Sequence, residues 1–141
     1  MRKGTPCPVK HVYQGVERNT MGTEFEDLEV WKLSFDYSVS VYRLTVEFPE
    51  SEFFGMTSQL RRSVTAIPVN IAKGKGYGAD VEFKNHLIEA RGSLEESKCL
   101  LMISEALGYL VREDFEMLMA KTKKISVFLN GMIRFLSESK E

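Results

Sequence analysis

Arg61, Arg62, Lys73 and Lys75 lie in a stretch, residues 53–79, that contains no acidic residue, giving a local charge of +4 in a chain of net charge −1. Cations without carboxylates among them can hold phosphate, but they cannot make or break a bond unaided. Lys84, Arg91 and Lys98 recur every seven residues and extend the set along one flank of the next helix. These seven residues are the candidate nucleic-acid contacts. The competing reading is internal pairing. An antiparallel hairpin turning near Tyr77-Gly78 would bring Arg61 level with Glu95, Arg62 near Arg91 and Glu95, and Lys73 against Glu82, while Arg91 could pair with Glu95 one turn on. On the residues alone, pairing within the hairpin is favoured over RNA contact, because a paired cation is less available to phosphate.

Other chemistry lacks its parts. His11 and His86 are the two histidines. Glu82 and Glu89 flank His86, but the order His86-Leu87-Ile88-Glu89 reverses the Glu-x-x-His pattern that di-iron bundles carry on two helices, so no metal site is expected. With no second histidine in the helical region, a nucleophilic triad has no general base. Gly74-Lys75-Gly76-Tyr77-Gly78 follows a helix instead of a strand, lacks Walker spacing, and reads as a helix stop. No cofactor, small-molecule substrate or enzymatic activity is indicated. Cys7 and Cys99 do not form a disulfide framework, and a reducing cytoplasm is the expected location.

The elements that would position the cations are helices. The chain has 141 residues, 43% hydrophobic and 28% charged, enough for one domain with a real core and no run long enough to cross a membrane. Residues 1–22 contain Gly4, Pro6, Pro8, Gly15 and Gly22 without sustained periodicity, and read as an extended tail with no secretory h-region. Residues 23–137 then form the domain. Thr23 and Glu26 suggest a capping box opening a first helix, with Leu28, Trp31, Phe35, Val39, Tyr42 and Val46 as its buried stripe.

The second helix carries Leu60, Val64, Ile67 and Ile71 on one face, and Pro68 in its body predicts a kink. Asn70 is the expected partner for the carbonyl that the proline leaves free, with a hydrogen bond across subunits as the alternative. Asp80 is the expected cap of the third helix, whose seam is Phe83, Leu87, Ala90, Leu94, Ser97 and Leu101. Phe115, Leu118, Thr122, Ile125, Leu129, Met132 and Leu136 continue that pattern in a fourth. The fold expected is all-α: an antiparallel up-down-up-down four-helix bundle with a proline-kinked second helix.

Such a bundle leaves apolar residues to spare. Cys99, Leu100, Met102, Ile103, Met117, Met119, Phe128 and Phe135 exceed what one seam per helix can bury, and are the candidate subunit interface. A groove for a partner helix is the alternative.

Leu28-Glu29-Val30-Trp31, Thr57-Ser58-Gln59-Leu60-Arg61-Arg62, Ile67-Pro68-Val69-Asn70-Ile71-Ala72, Ala90-Arg91-Gly92-Ser93-Leu94, Leu107-Gly108-Tyr109 and Leu129-Asn130-Gly131-Met132-Ile133 occur in that order. Together they resemble the bacterial four-helix-bundle proteins encoded in intervening sequences of 23S ribosomal RNA genes. The resemblance covers about residues 25–136, and Ser58 to Ala72 is its most specific block. It implies a ring-like homo-oligomer, a pentamer, and a relationship to accessory bundle proteins of retroelements that engage nucleic acid. It implies no enzymatic activity. Lys73 stands where the family often has glutamate, making this chain locally more basic. The two functions to separate are an RNA-associated accessory protein and a protein-protein scaffold that binds no nucleic acid.

Overall fold

The computed structural model describes residues 24–138, which contain four α-helices, two short 3-10 turns and no strand. The helices are α1 (Glu29–Thr45), α2 (Met56–Gly76), α3 (Asp80–Ala106) and α4 (Arg112–Glu138). The turns are Phe25–Asp27 and Glu50–Glu52. Thr23 and the expected tail, residues 1–22, lie outside the described residues. The first helix begins later than the capping pattern suggests: Leu28 is extended (φ −76°, ψ 128°) between the 3-10 turn and α1, and no side chain caps it. At α3 the N-cap is Ala79, so Asp80 favours that end through the helix dipole instead of capping it.

Each helix packs on its neighbours in sequence, and α1 also meets α4, enclosing a common core. The seams of α3 and α4 follow the sequence pattern: Leu87, Ala90, Leu94, Ser97 and Leu101 face Leu118, Thr122, Ile125, Leu129 and Leu136, all buried. Phe83, Phe115 and Met132 are partly buried against them.

α1 departs from the expected stripe. Its core face is Val30, Ser34, Tyr37, Val41 and Leu44, continued by Phe48, a second set at helical spacing. Of the predicted stripe, Trp31 is buried, Leu28, Phe35 and Val39 are partly covered, and Tyr42 and Val46 are 42% and 73% exposed. The more polar face points inward because its hydroxyls find partners, so burying them carries no unpaired-group cost. Ser34 Oγ donates to the Trp31 carbonyl (3.0 Å) and Thr45 Oγ1 to the Val41 carbonyl (2.8 Å). Tyr37 Oη lies 2.7 Å from Ser97 Oγ, which itself donates to the Leu94 carbonyl at 2.8 Å, so Tyr37 donates to Ser97 and ties α1 to α3 through the core. Burial pushes the Tyr37 phenol well above its usual range.

α2 runs through Pro68 without ending. A proline at 68 cannot donate to the Val64 carbonyl. Ser38 Oγ supplies that bond from α1 at 2.8 Å, and Asn70 Nδ2 instead donates to the Ala66 carbonyl at 2.9 Å. The freed carbonyl is thus met from the neighbouring helix and not by the expected Asn70.

Gly74 is not the stop of α2. It is buried inside the helix, where a Cβ would come within 2.7 Å of His86 Cβ and 3.3 Å of the Phe83 backbone, so its size lets α2 and α3 close together. The left-handed residue after α2 is Gly78 (φ +75°). At the end of α3, Gly108 (φ +82°) completes a Schellman motif in which its own N–H reaches Glu105 and that of Tyr109 reaches Ser104.

Candidate nucleic-acid interface

The bundle does not gather the seven predicted cations onto one patch, because they turn from α2 and α3 toward different neighbours. Arg61 turns toward α1. Its Nε donates to Thr45 Oγ1 (3.0 Å), one Nη donates to the Tyr42 carbonyl (3.3 Å), and its guanidinium lies 4.6 Å from the centre of the Tyr42 ring. Thr45 spends its own proton on Val41, which leaves a lone pair for Arg61. Arg62, one residue on, is exposed toward α3 and shares a concavity with Phe54, Ser93 and Glu96. Lys73 is exposed, and Lys75 sits 5.7 Å from the Phe83 ring at the far end of the hairpin. Arg91 faces α4, where it donates to Asn130 Oδ1 at 3.0 Å, and Lys98 pairs with Glu95 at 3.4 Å. Lys84 is partly buried on the same flank of α3.

The predicted hairpin pairs do not form. Among the described residues, Arg61, Arg62, Lys73, Lys75, Lys84 and Arg91 have no carboxylate within 4.0 Å, whereas Lys98, Arg112 and Lys121 do. Glu95, the expected partner of Arg61 and Arg91, is engaged by Lys98 within its own helix. His86 places Nδ1 2.8 Å from the Glu82 carbonyl and its ring beside Tyr77. Among the described residues no group of three or more His, Cys, Asp or Glu is placed to hold a metal ion, and no helix is long and apolar enough to cross a membrane.

The predicted interface residues divide as well. Leu100 is 9% exposed and belongs to the core, because α3 turns that position inward, so it cannot face a partner. Met119 is partly buried and packs on the same core. Cys99, Met102, Ile103, Met117, Phe128 and Phe135 remain exposed on α3 and α4.

A second apolar surface lies where sequence reasoning did not place one. Trp31 and Phe35, stacked with centroids 4.8 Å apart, form with Phe25, Val39, Tyr42, Pro68, Val69 and Ala72 the wall of a groove of about 480 Å³ between α1 and α2. This is the outward α1 stripe. Beyond Tyr42 and Thr65 the surface changes character: Tyr42, Phe53, Phe54, Thr57, Ser58, Arg61 and Arg62 line a second cleft of about 390 Å³. Phe53 and Phe54 sit on the short connection into α2, where two adjacent aromatics directly preceding a cationic helix were the available sequence signal.

That connection is fixed from both sides. Glu52 Oε1 accepts from the Met56 N–H (2.9 Å), capping α2, while Glu52 Oε2 accepts from Tyr109 Oη (2.8 Å) in the α3–α4 turn. Both bonds favour the charged form and hold the Glu52 carboxyl below its ordinary value. The same bond raises the Tyr109 phenol. Tyr109 also packs on Phe48 with ring centroids 5.5 Å apart.

Comparison with known proteins accords with this architecture. Residues 26–131 match the model of the 23S rRNA-intervening sequence protein family. Among solved structures, a protein of unknown function from the S23 ribosomal protein family of Bacteroides thetaiotaomicron superposes with a TM-score of 0.67 at 26% identity, over 74% of this chain and 97% of that one. No curated protein matches the chain. With most of its helical domain matched, the chain belongs to the 23S rRNA-intervening sequence protein family.

Proposed function

We propose that this protein is a self-associating, RNA-associated accessory bundle of the 23S rRNA intervening-sequence type, working by binding instead of catalysis and located in the cytoplasm. Its helices alternate in direction. Ser38 meets Val64 and Thr45 meets Arg61, so rising numbers on α1 face falling numbers on α2, and Arg91–Asn130 with Glu105–Arg112 make the same pattern on α3 and α4. Pro68 bends α2 at the point where Ser38 takes up the freed carbonyl. Self-association is supported by apolar surface on two different faces, the α1–α2 groove and the exposed Met102, Ile103, Met117, Phe128 and Phe135 of α3 and α4. Two unlike faces suit a head-to-tail contact that closes into a ring, the pentamer implied by the family resemblance.

The observation that carries RNA association is the release of Arg62 and Lys73 from carboxylates among the described residues, against the pairing that their sequence positions favoured. Phosphate contacts release counterions, so affinity for a 23S rRNA fragment falls steeply with salt, with a slope lowered by about one for each cation removed. The test compares wild type with the double variant Arg62→Ala/Lys73→Ala across a salt series. Both side chains are exposed, so the fold is retained. Wild-type affinity and slope in the variant would exclude the assigned contacts. The apolar α1–α2 groove favours a second reading, a protein-protein scaffold, and an assembled wild-type protein that binds no RNA at any salt would select it.

A further inference from the structure

The geometry points to a specific class of ligand for the cleft at the start of α2: unpaired nucleotides of a single strand, their bases stacked on Phe54 and Phe53 and their phosphates on Arg61 and Arg62. This inference rests on the RNA reading above and narrows it from the molecule's charge to one site.

Phe54 is 90% exposed, the highest exposure of any large apolar side chain described, and its ring neighbour among the described residues is Phe53, edge-on with centroids 4.9 Å apart. Phe53 is itself 55% exposed, so the two adjacent rings make an apolar patch open to solvent, the kind of surface that marks an interaction site. Phe54 stands between three concavities. Arg61 lines the two on the α1 side and Arg62 the one toward α3, while both line the cleft they share with Tyr42. A base laid on Phe54 therefore has a guanidinium to either side, the spacing of features that single-strand sites use: a π-face for the base and cations tracking the backbone.

Duplex RNA cannot offer this fit, since its bases are already stacked and its phosphates would meet the ring. Arg61 is preorganised by Thr45 and Tyr42, and two bonds leave further N–H groups of its five free to donate. Thr57 and Ser58, in the first turn of α2, place the positive end of the helix dipole under the same cleft. Opposing charge comes from Glu50 and Glu96, which line the flanking concavities, and from Glu52, whose two oxygens are engaged by Met56 and Tyr109.

The experiment measures binding of a short labelled single-stranded RNA, its DNA counterpart and the same RNA as a duplex to the full chain, for wild type, Phe54→Ala, Phe54→Trp and Arg62→Ala. Thermal melting and assembly mass are recorded for each, and Phe54 is 90% exposed, so Phe54→Ala should fold normally. The single strands bind in preference to the duplex, Phe54→Ala weakens them about tenfold while leaving the weaker duplex binding unchanged, and Phe54→Trp restores or improves them. The DNA arm tells whether the 2′-hydroxyl is read. Salt-sensitive binding of duplex and single strand alike, indifferent to Phe54, overturns this inference and leaves the broader RNA reading standing. No binding by wild type to any probe overturns both. A change in assembly mass in Phe54→Ala, with RNA affinity unchanged, overturns it in favour of a second copy of the chain on the aromatic patch.

Discussion

The α1–α2 face and the α3–α4 seam are both built from apolar residues returning every third or fourth position, yet they do opposite things. The α3–α4 seam is interior, with Leu87, Leu94, Leu101, Leu118, Ile125 and Leu129 sealed from solvent. The more apolar stripe of α1, Trp31 to Tyr42, lines an open groove instead, and a stripe bearing Ser34, Tyr37, Ser38 and Thr45 takes its place in the core. The difference shows that burial is decided by whether polar atoms find partners as well as by hydrophobicity. Each of those four hydroxyls reaches an acceptor or a neighbouring hydroxyl, and two of those bonds cross to another helix.

The comparison breaks most easily at a core leucine. Leu94→Ala opens a cavity in the sealed seam and should cost about 2–5 kcal/mol, read as a shift in the denaturant midpoint at constant m-value. Val41→Ala and Val39→Ala then test the two stripes of α1 against each other. Val41 is fully buried and Val39 is on the groove, so the first should cost about 2 kcal/mol and the second under about 1 kcal/mol. Equal losses would show that the groove is closed in solution, with its apolar wall covered by a partner.

Ser38→Ala sharpens the comparison at its polar end. The Val64 carbonyl, deprived of a helical donor by Pro68, would be left buried without the Ser38 hydroxyl, at about 1–2 kcal/mol. Pairing Ser38→Ala with Pro68→Ala restores a backbone N–H to that carbonyl, so the double variant should lose less than the sum of the single ones. Additive losses would mean that the hydroxyl does not substitute for the missing helical bond.

Much of the architecture was legible in the sequence, and the residues that were not share a cause. The seams Leu87 to Leu101 and Leu118 to Leu136 keep unbroken three-four spacing, so periodicity identifies them. α1 offers two such stripes, and spacing cannot rank them without knowing that Ser97 waits opposite Tyr37 and the Val64 carbonyl opposite Ser38. The cations were found by composition alone, but their pairing was misread, because level on a hairpin does not fix the side of the helix. Arg61 and Arg62 occupy similar levels and turn to different neighbours. Leu100, counted among surplus apolar residues, was surplus only to one seam and is buried against another. Phe53 and Phe54 escape a reading of this kind because a loop carries no period.

The smallest expected effect is the pH response of the tie between the two ends of the comparison, Glu52 to Tyr109. Its bonds hold the folded Glu52 carboxyl below its ordinary value of 4.5, so the charged form is favoured in the folded chain. A group of this kind adds stability that is fully present above its unfolded pKa and is lost as pH falls through the lowered folded value. Glu52→Gln should therefore lower the melting temperature slightly at neutral pH, and the gap from wild type should close in acid, below the usual carboxylate range. Tyr109→Phe removes the phenol donor and leaves the Met56 cap, so its loss at neutral pH should be smaller than that of Glu52→Gln. The raised Tyr109 phenol works in the other direction, adding stability below the ordinary tyrosine pKa that disappears as pH climbs through the raised value, so wild type and Tyr109→Phe should converge in strong alkali. A gap between wild type and Glu52→Gln that persists unchanged into acid would show that Glu52 acts through packing alone, and that the connection carrying Phe53 and Phe54 is held by something other than this carboxylate.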